Sequence, residues 1–191
     1  AARLRRKIDS AGDLQSVVRT MKAMAASGIG QYEQSVRALG DYFRTVELGL
    51  SVCFRDMRAA QSITGETGIT DAAAIGAVVF GSDQGLVGQF NDVVADYAVK
   101  TLAALAEKAN VWAVGERVYA RLADAGLPLL GLFTVPNSVK AITPLVGQIL
   151  VESETRRNRS DVTELYLFYN RPASGAVYTP VSQRLLPLDE T

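Results

Sequence analysis

The chain has 191 residues, a length that suits one or two domains. It contains no histidine and one cysteine, and its twenty basic residues balance twenty acidic ones. Without histidine it lacks the commonest general base and metal ligand, and no Ser-His or Cys-His nucleophile pair can form. Its apolar runs are shorter than the ~20 residues of a membrane-spanning helix. The single Cys53 cannot form an internal disulfide, which favours a reducing compartment, and we expect it to be buried within an apolar repeat.

The first third of the chain repeats mostly apolar side chains about every 3.5 residues, the period of helices that wind into a left-handed coiled coil. We call these positions the seam: Leu4, Ile8, Ala11, Leu14, Val18, Met21, Ala25, Ile29, Tyr32, Val36, Leu39, Phe43, Val46, Leu50, Cys53 and Met57. No proline occurs before Pro128. The pattern therefore predicts one uninterrupted helix over residues 4–57, on the order of 80 Å long, which would extend beyond a globular domain.

A seam of this length is expected to be covered, yet no later segment predicts a comparable helix. Either another subunit covers it, or the natural chain continues past Thr191 and returns antiparallel along the first helix. The five glycines at 12, 28, 30, 40 and 49 are either tolerated or allow a neighbour to approach closely. Residues 1–60 carry ten basic and six acidic residues, which favours a shaft near acidic protein surfaces over a nucleic-acid-binding helix.

The period changes after residue 60. Residues 61–72 are polar and contain Gly65 and Gly68, which predicts a linker. Strand patterns occur at 75–80, 111–114, 129–135 and 162–170. Helix patterns occur at 92–108 and 117–125, and a third helix is predicted from a cap at Asn137 and Ser138 to Arg159. An edge strand, broken by Pro180, is predicted at 176–186. This alternation predicts a Rossmann-like, mainly parallel α/β domain over residues 73–191, behind a coiled-coil shaft over residues 1–60.

The loop after the first strand reads GSDQGLVGQFN over residues 81–91, where a doubly wound fold would bind a phosphate. Its spacing matches neither GxGxxG nor a P-loop, it has no lysine, and Asp83 would repel an anion. We favour a structural loop in which glycines allow a tight turn and Asn91 or Ser82 satisfies backbone amides. The residues of this structural loop are Ser82, Asp83, Gly85, Gly88 and Asn91, and no catalytic, cofactor or metal site is predicted.

Three segments resemble the γ subunit of rotary F-type ATP synthases. Residues 3–8 (RLRRKI) and 18–27 (VRTMKAMAAS) resemble that family's N-terminal helix, and residues 82–91 (SDQGLVGQFN) are similar to its SDRGLCGGFN loop. Residues 169–170, 180–183 and 185–188 resemble the stretch that closes the family's α/β domain. Gln84, Val87 and Gln89 depart from the usual Arg, Cys and Gly, which indicates a divergent or alternate type. The family's C-terminal helix, which packs antiparallel on the first, would be the missing cover of the seam.

The resemblance implies a non-catalytic rotor subunit that couples ion flow through the membrane sector to ATP synthesis or hydrolysis in the β subunits. It implies that the helix turns inside the ring of α and β subunits near Met21, Lys22, Ala25, Ala26 and Ser27. It also implies that the α/β domain contacts the ε subunit and the c-ring, at the cytoplasmic face of the bacterial inner membrane, without cofactor or nucleic acid.

Two other hypotheses stay open from the residues alone. A stand-alone α/β ligand-binding or transferase domain with a dimerising coiled coil would bind a nucleotide or phosphate as the purified chain. An adaptor whose helix only recognises a partner helix would not rescue coupled ATP synthesis.

Overall fold

The computed structural model describes residues 2–61, 74–106, 108–173 and 177–187, with the side chains of the first helix described as far as Cys53. The chain divides into two compact units, Ala1–Ala60 and Gln61–Thr191. The linker predicted at 61–72 lies outside the described residues except for Gln61, which ends the first helix.

Helix α1 runs without interruption over Ala2–Gln61, so the predicted long helix is confirmed. Its 60 residues correspond to a length of about 90 Å. The large seam side chains are exposed, from 36% at Val46 to 68% at Val36. Cys53 is exposed too, so the expectation of a buried cysteine is wrong for this chain, because the seam around it is uncovered. Coiled-coil pairing of α1 stays a prediction.

The second unit is an α/β sheet domain. Its strands are β1 (Ile75–Phe80), β2 (Ala109–Val114), β3 (Leu129–Phe133), β4 (Glu164–Pro172) and β5 (Tyr178–Leu186). Its helices are α2 (Phe90–Leu105), α3 (Glu116–Asp124) and α4 (Ile142–Asn158). The sheet order is β3-β2-β1-β4-β5, and every pairing is parallel except that of β4 with β5. The predicted mainly parallel α/β fold is therefore confirmed.

Side chains of the strands alternate between two core layers. Helices α2 and α3 cover one face, where the buried residues include Ile75, Ala77, Val79, Val94, Ala98, Leu102, Val111, Val118, Leu122 and Phe168. Helix α4 covers the other face, where they include Val78, Trp112, Val114, Leu145, Ile149 and Leu165. Strands β1 and β2 therefore read as nearly continuous apolar runs, since both of their faces are buried.

Three local predictions need correction. The helix predicted for 92–108 ends at Leu105. The cap predicted at Asn137 and Ser138 is confirmed in position only: Ser138 is the N-cap residue of a short 3-10 turn, Val139–Ala141, that leads into α4. Its side chain makes no capping bond, and its backbone carbonyl accepts from the Ala141 amide at 3.1 Å. Pro180 does not break β5 but pairs with Asn170 inside it. An edge strand tolerates proline because the missing amide can face away from the sheet.

Candidate functional site

The shaft-contact residues implied by the resemblance occupy adjacent strips of α1. Met21 and Ala25 belong to the seam. Lys22 and Ala26 each come directly after a seam residue and form a second row along the helix, and Ser27 follows Ala26. All five side chains are exposed. The small alanine and serine side chains keep this stretch of helix narrow, so a neighbouring surface could approach its axis closely.

The start of α1 carries unmatched positive charge. Arg3, Arg5, Arg6 and Lys7 open the helix, and no acidic residue lies in its first turn. Positive charge at a helix N-terminus opposes the helix dipole. Neither these residues nor Lys22 forms an ion pair with any residue that the structure describes. An acidic partner surface would stabilise this part of the helix.

The loop between β1 and α2 is closed by a pair of side chains. The Asn91 carbonyl oxygen accepts from the Ser82 amide at 2.9 Å, and the Asn91 side-chain amide donates to the Ser82 hydroxyl at 2.9 Å. The same hydroxyl donates to the Gln84 carbonyl at 2.9 Å. Asn91 is buried in the first turn of α2, so the beginning of the loop is bound to the beginning of the helix that follows it.

Asp83 joins the ends of three adjacent strands. Its carboxylate, just after β1, accepts from the Glu116 amide at 2.9 Å, just after β2, and from the Val135 amide at 3.0 Å, just after β3. The Ser82 carbonyl adds a bond from the Arg117 amide at 3.0 Å. We call these contacts the Asp83 staple. Sequence reasoning missed them, because no local pattern identifies an acceptor for an amide 52 residues away.

Two glycines outside the predicted set let the strand ends approach each other. A Cβ at Gly115, whose φ is +114°, would lie 2.8 Å from backbone atoms of Ser82. A Cβ at Gly81 would overlap with Val118 Cβ. The predicted glycines are less constrained: Gly88 has φ +59° and open space, and a Cβ at Gly85 would make only an ordinary 3.5 Å contact with Arg117. Close packing therefore occurs at Gly81 and Gly115, and the turn is at Gly88.

The geometry favours a structural role for this loop over an anion-binding one. A helix N-terminus at the carboxyl edge of a parallel sheet binds anions through free backbone amides. In the loop of residues 81–91, which leads into α2, the Ser82 amide already donates to the Asn91 side chain. The Asp83 carboxylate adds a negative charge to the same loop while it accepts from the Glu116 amide at the start of α3.

Among the residues that the structure describes, none of the helices combines the length and the hydropathy of a membrane span.

Comparisons with known proteins give one consistent family. A family model described as ATP synthase matches residues 1–191. An ATP synthase gamma chain of Dechloromonas aromatica is 25% identical over 191 residues, covering 97% of this chain and 65% of that protein. An ATP synthase gamma chain of Clavibacter sepedonicus is 28% identical over 191 residues, covering 96% of this chain and 62% of that protein. The chain thus spans less than two thirds of the length of these relatives.

Among solved structures, similarity is found to a Tetrahymena thermophila mitochondrial ATP synthase, described as central stalk and c-ring. The match has a TM-score of 0.49 and 19% identity, and it covers 70% of this chain and 58% of that chain. A Euglena gracilis mitochondrial ATP synthase rotor matches with a TM-score of 0.45 and 13% identity, covering 74% and 55%.

Proposed function

Because this chain belongs to the ATP synthase gamma-chain family, we propose that it is a central-stalk rotor subunit of a rotary F-type ATP synthase. In this role the chain catalyses no reaction itself. It couples ion flow through the membrane sector to ATP synthesis or hydrolysis in the catalytic subunits. Its proposed partners are the α and β subunits of the catalytic ring, the ε subunit and the c-ring.

The observation that carries this proposal is the uncovered seam of α1. Within residues 2–53, where the side chains are described, twelve seam side chains are large and apolar, and all twelve are exposed: Leu4, Ile8, Leu14, Val18, Met21, Ile29, Tyr32, Val36, Leu39, Phe43, Val46 and Leu50. Most helix stability in proteins comes from packing of an apolar face and not from helix propensity. A 60-residue helix with such a face is therefore suited to a protein that works inside an assembly.

Met21, Lys22, Ala25, Ala26 and Ser27 are the proposed contacts with the surrounding ring. Three of them, Ala25, Ala26 and Ser27, are small, which supports a narrow shaft that slides past its neighbours. The Lys22 ammonium is exposed and could pair with carboxylates of the β subunits. Replacing Lys22 with Gln should then weaken ring binding roughly fivefold at low salt, about 1 kcal/mol. A lysine that is merely solvated would give no change.

The α/β unit is the proposed foot of the rotor, in contact with the ε subunit and the c-ring. Torque transmission requires that the foot resist deformation, and the Asp83 staple supports this by joining three strand ends. As the rotor turns, its asymmetric surface would meet the three β subunits differently and so set their different nucleotide affinities.

The proposed location of the protein is peripheral, at the cytoplasmic face of the bacterial inner membrane.

The alternative, a stand-alone ligand-binding domain, is not favoured. Its predicted phosphate site lies in the loop of residues 81–91, where the Ser82 amide already donates to the Asn91 side chain and Asp83 adds a negative charge. It would also leave unexplained a family match that extends through the whole of α1.

Ring binding can be tested by mixing the chain with α and β subunits from the same organism and MgATP. A rotor subunit should co-elute with the ring in size-exclusion chromatography and change its rate of ATP hydrolysis. The seam variant Met21→Gln/Ala25→Gln, at two of the proposed ring contacts, should weaken co-elution at least about tenfold, since burial of the methionine side chain alone contributes about 1.5–3 kcal/mol. Glutamine is a good helix former, so α1 itself should persist.

The matched control places the same substitution outside the seam. Val177→Gln changes an apolar residue that is 64% exposed in the α/β unit, and it should leave co-elution unchanged. Failure of the unmodified chain to co-elute would contradict the proposal, as would undiminished binding by the seam variant.

A further inference from the structure

The glycines of α1 are not required by the helix itself. None of the five has a positive φ. A Cβ at Gly12, Gly30, Gly40 or Gly49 would meet nothing within 4 Å, and one at Gly28 would make an ordinary 3.7 Å contact with the Tyr32 ring. Alanine would fit at each position and is the better helix former. Neither a backbone dihedral angle nor a lack of space therefore requires glycine at these positions.

Gly28 and Gly30 differ from the others because they share one helical turn. Every other glycine of α1 lies nine or more residues from its nearest glycine. Residues two apart point about 200° away from each other around a helix, so one neighbouring helix cannot approach both. The pair is therefore poorly placed for close helix packing, and its shared effect is on the backbone, where two residues of poor helix propensity lie in the same turn.

Two serines add to this effect. Ser27 directly precedes Gly28, and long helices bend preferentially at Gly and Ser pairs. The Ser35 hydroxyl donates to the Gln31 carbonyl at 2.8 Å, and such a bond competes with the amide that normally uses this carbonyl. Thr20 and Thr45 make the same kind of bond to the carbonyls of Ser16 and Asp41, so the bond alone does not distinguish this segment. What sets residues 27–35 apart is that such a bond occurs beside a glycine pair.

We propose that residues 27–35 are a compliant segment built into α1, where the helix opens and bends more readily than in the turns on either side. Helices open locally with different free energies along their length, and the least stable turns open first. In a rotor, such a segment would let the shaft yield between its two ends. That consequence rests on the proposed function, whereas the compliance itself does not.

Amide hydrogen exchange of the 191-residue chain tests the compliance directly. We expect amides 28–35 to exchange faster than those at 14–26. In the variant Gly28→Ala/Gly30→Ala, protection of amides 28–35 should rise about thirtyfold, which corresponds to ~2 kcal/mol for two glycines. Both substitutions favour the helix, so loss of folding should not obscure the result.

The matched control is Gly12→Ala/Gly49→Ala, which also removes two glycines that no neighbour contacts. It should leave protection at 28–35 unchanged. The proposal is overturned if amides 28–35 exchange as slowly as 14–26 in the unmodified chain, or if Gly28→Ala/Gly30→Ala leaves them unaltered. An equal rise at 28–35 in the control would also overturn it, because the helix would then open as one unit. None of these results depends on ring binding, so they are separate from failure of the proposed function.

Discussion

The two units of this chain bury apolar side chains to opposite degrees. In the α/β unit, Leu122 and Phe168 are fully buried between helices and sheet. In α1, side chains of the same kind, such as Leu39 and Phe43, are exposed at 59% each. Apolar content alone does not separate the units; what differs is whether the unit covers its own apolar face. The α/β unit has the core of an independent domain, whereas the described side chains of α1 leave their apolar face exposed.

The largest expected effect comes from a substitution in the buried core of the α/β unit. Phe168→Ala should destabilise the α/β unit by about 4 kcal/mol, because it removes a fully buried ring and leaves a cavity. Urea unfolding followed by fluorescence reports on this unit alone, since the chain's single tryptophan, Trp112, is buried there. Phe43→Ala in α1 should change the same transition by less than about 0.5 kcal/mol. Similar shifts for both variants would refute the comparison.

Gly115→Ala sharpens the comparison by testing backbone packing inside the α/β unit. The added Cβ would lie 2.8 Å from the Ser82 backbone, at φ +114°, so we expect a loss of about 3 kcal/mol from overpacking and strain. Gly126→Ala is the matched control, since its φ is +78° but nothing lies within 4 Å. It should lose only about 1 kcal/mol, from strain alone. Equal losses in thermal unfolding would mean that close approach at Gly115 contributes nothing.

The Asp83 staple should have the next largest effect. Asp83→Ala removes an acceptor shared by the Glu116 and Val135 amides, and we expect a loss of about 2 kcal/mol because bonds to a charged group are worth more than neutral ones. Hydrogen exchange should accelerate at both amides, although they lie 33 and 52 residues from Asp83. Asp124→Ala, an exposed aspartate of α3, should change neither property.

The sequence predicted what depends on periodic patterns. A seam at 3.5 residues identifies α1, and short apolar runs separated by helical spacing identify β1, β2 and the parallel sheet. It failed where the outcome depends on residues distant in the chain. The partners of Asp83 become neighbours only after three strands align, and the crowding at Gly115 comes from Ser82 on another strand end. The edge position of β5 was predicted correctly, but the break predicted at Pro180 was wrong, because it depends on whether the missing amide faces the neighbouring strand.

The smallest expected effect comes from removing ion pairs on the surface of the α/β unit. Arg121 of α3 pairs with Asp92 at 3.0 Å and Asp96 at 3.6 Å, both on α2. These side chains are 46–60% exposed, so Arg121→Ala should cost less than about 0.5 kcal/mol, and 1 M salt should remove most of that difference. A loss above about 1.5 kcal/mol that persists in salt would instead indicate that the arginine stem packs between the helices. The weak result would leave the buried layers as the main source of stability of the α/β unit, whereas the large seam side chains of α1 from Leu4 to Leu50 are exposed.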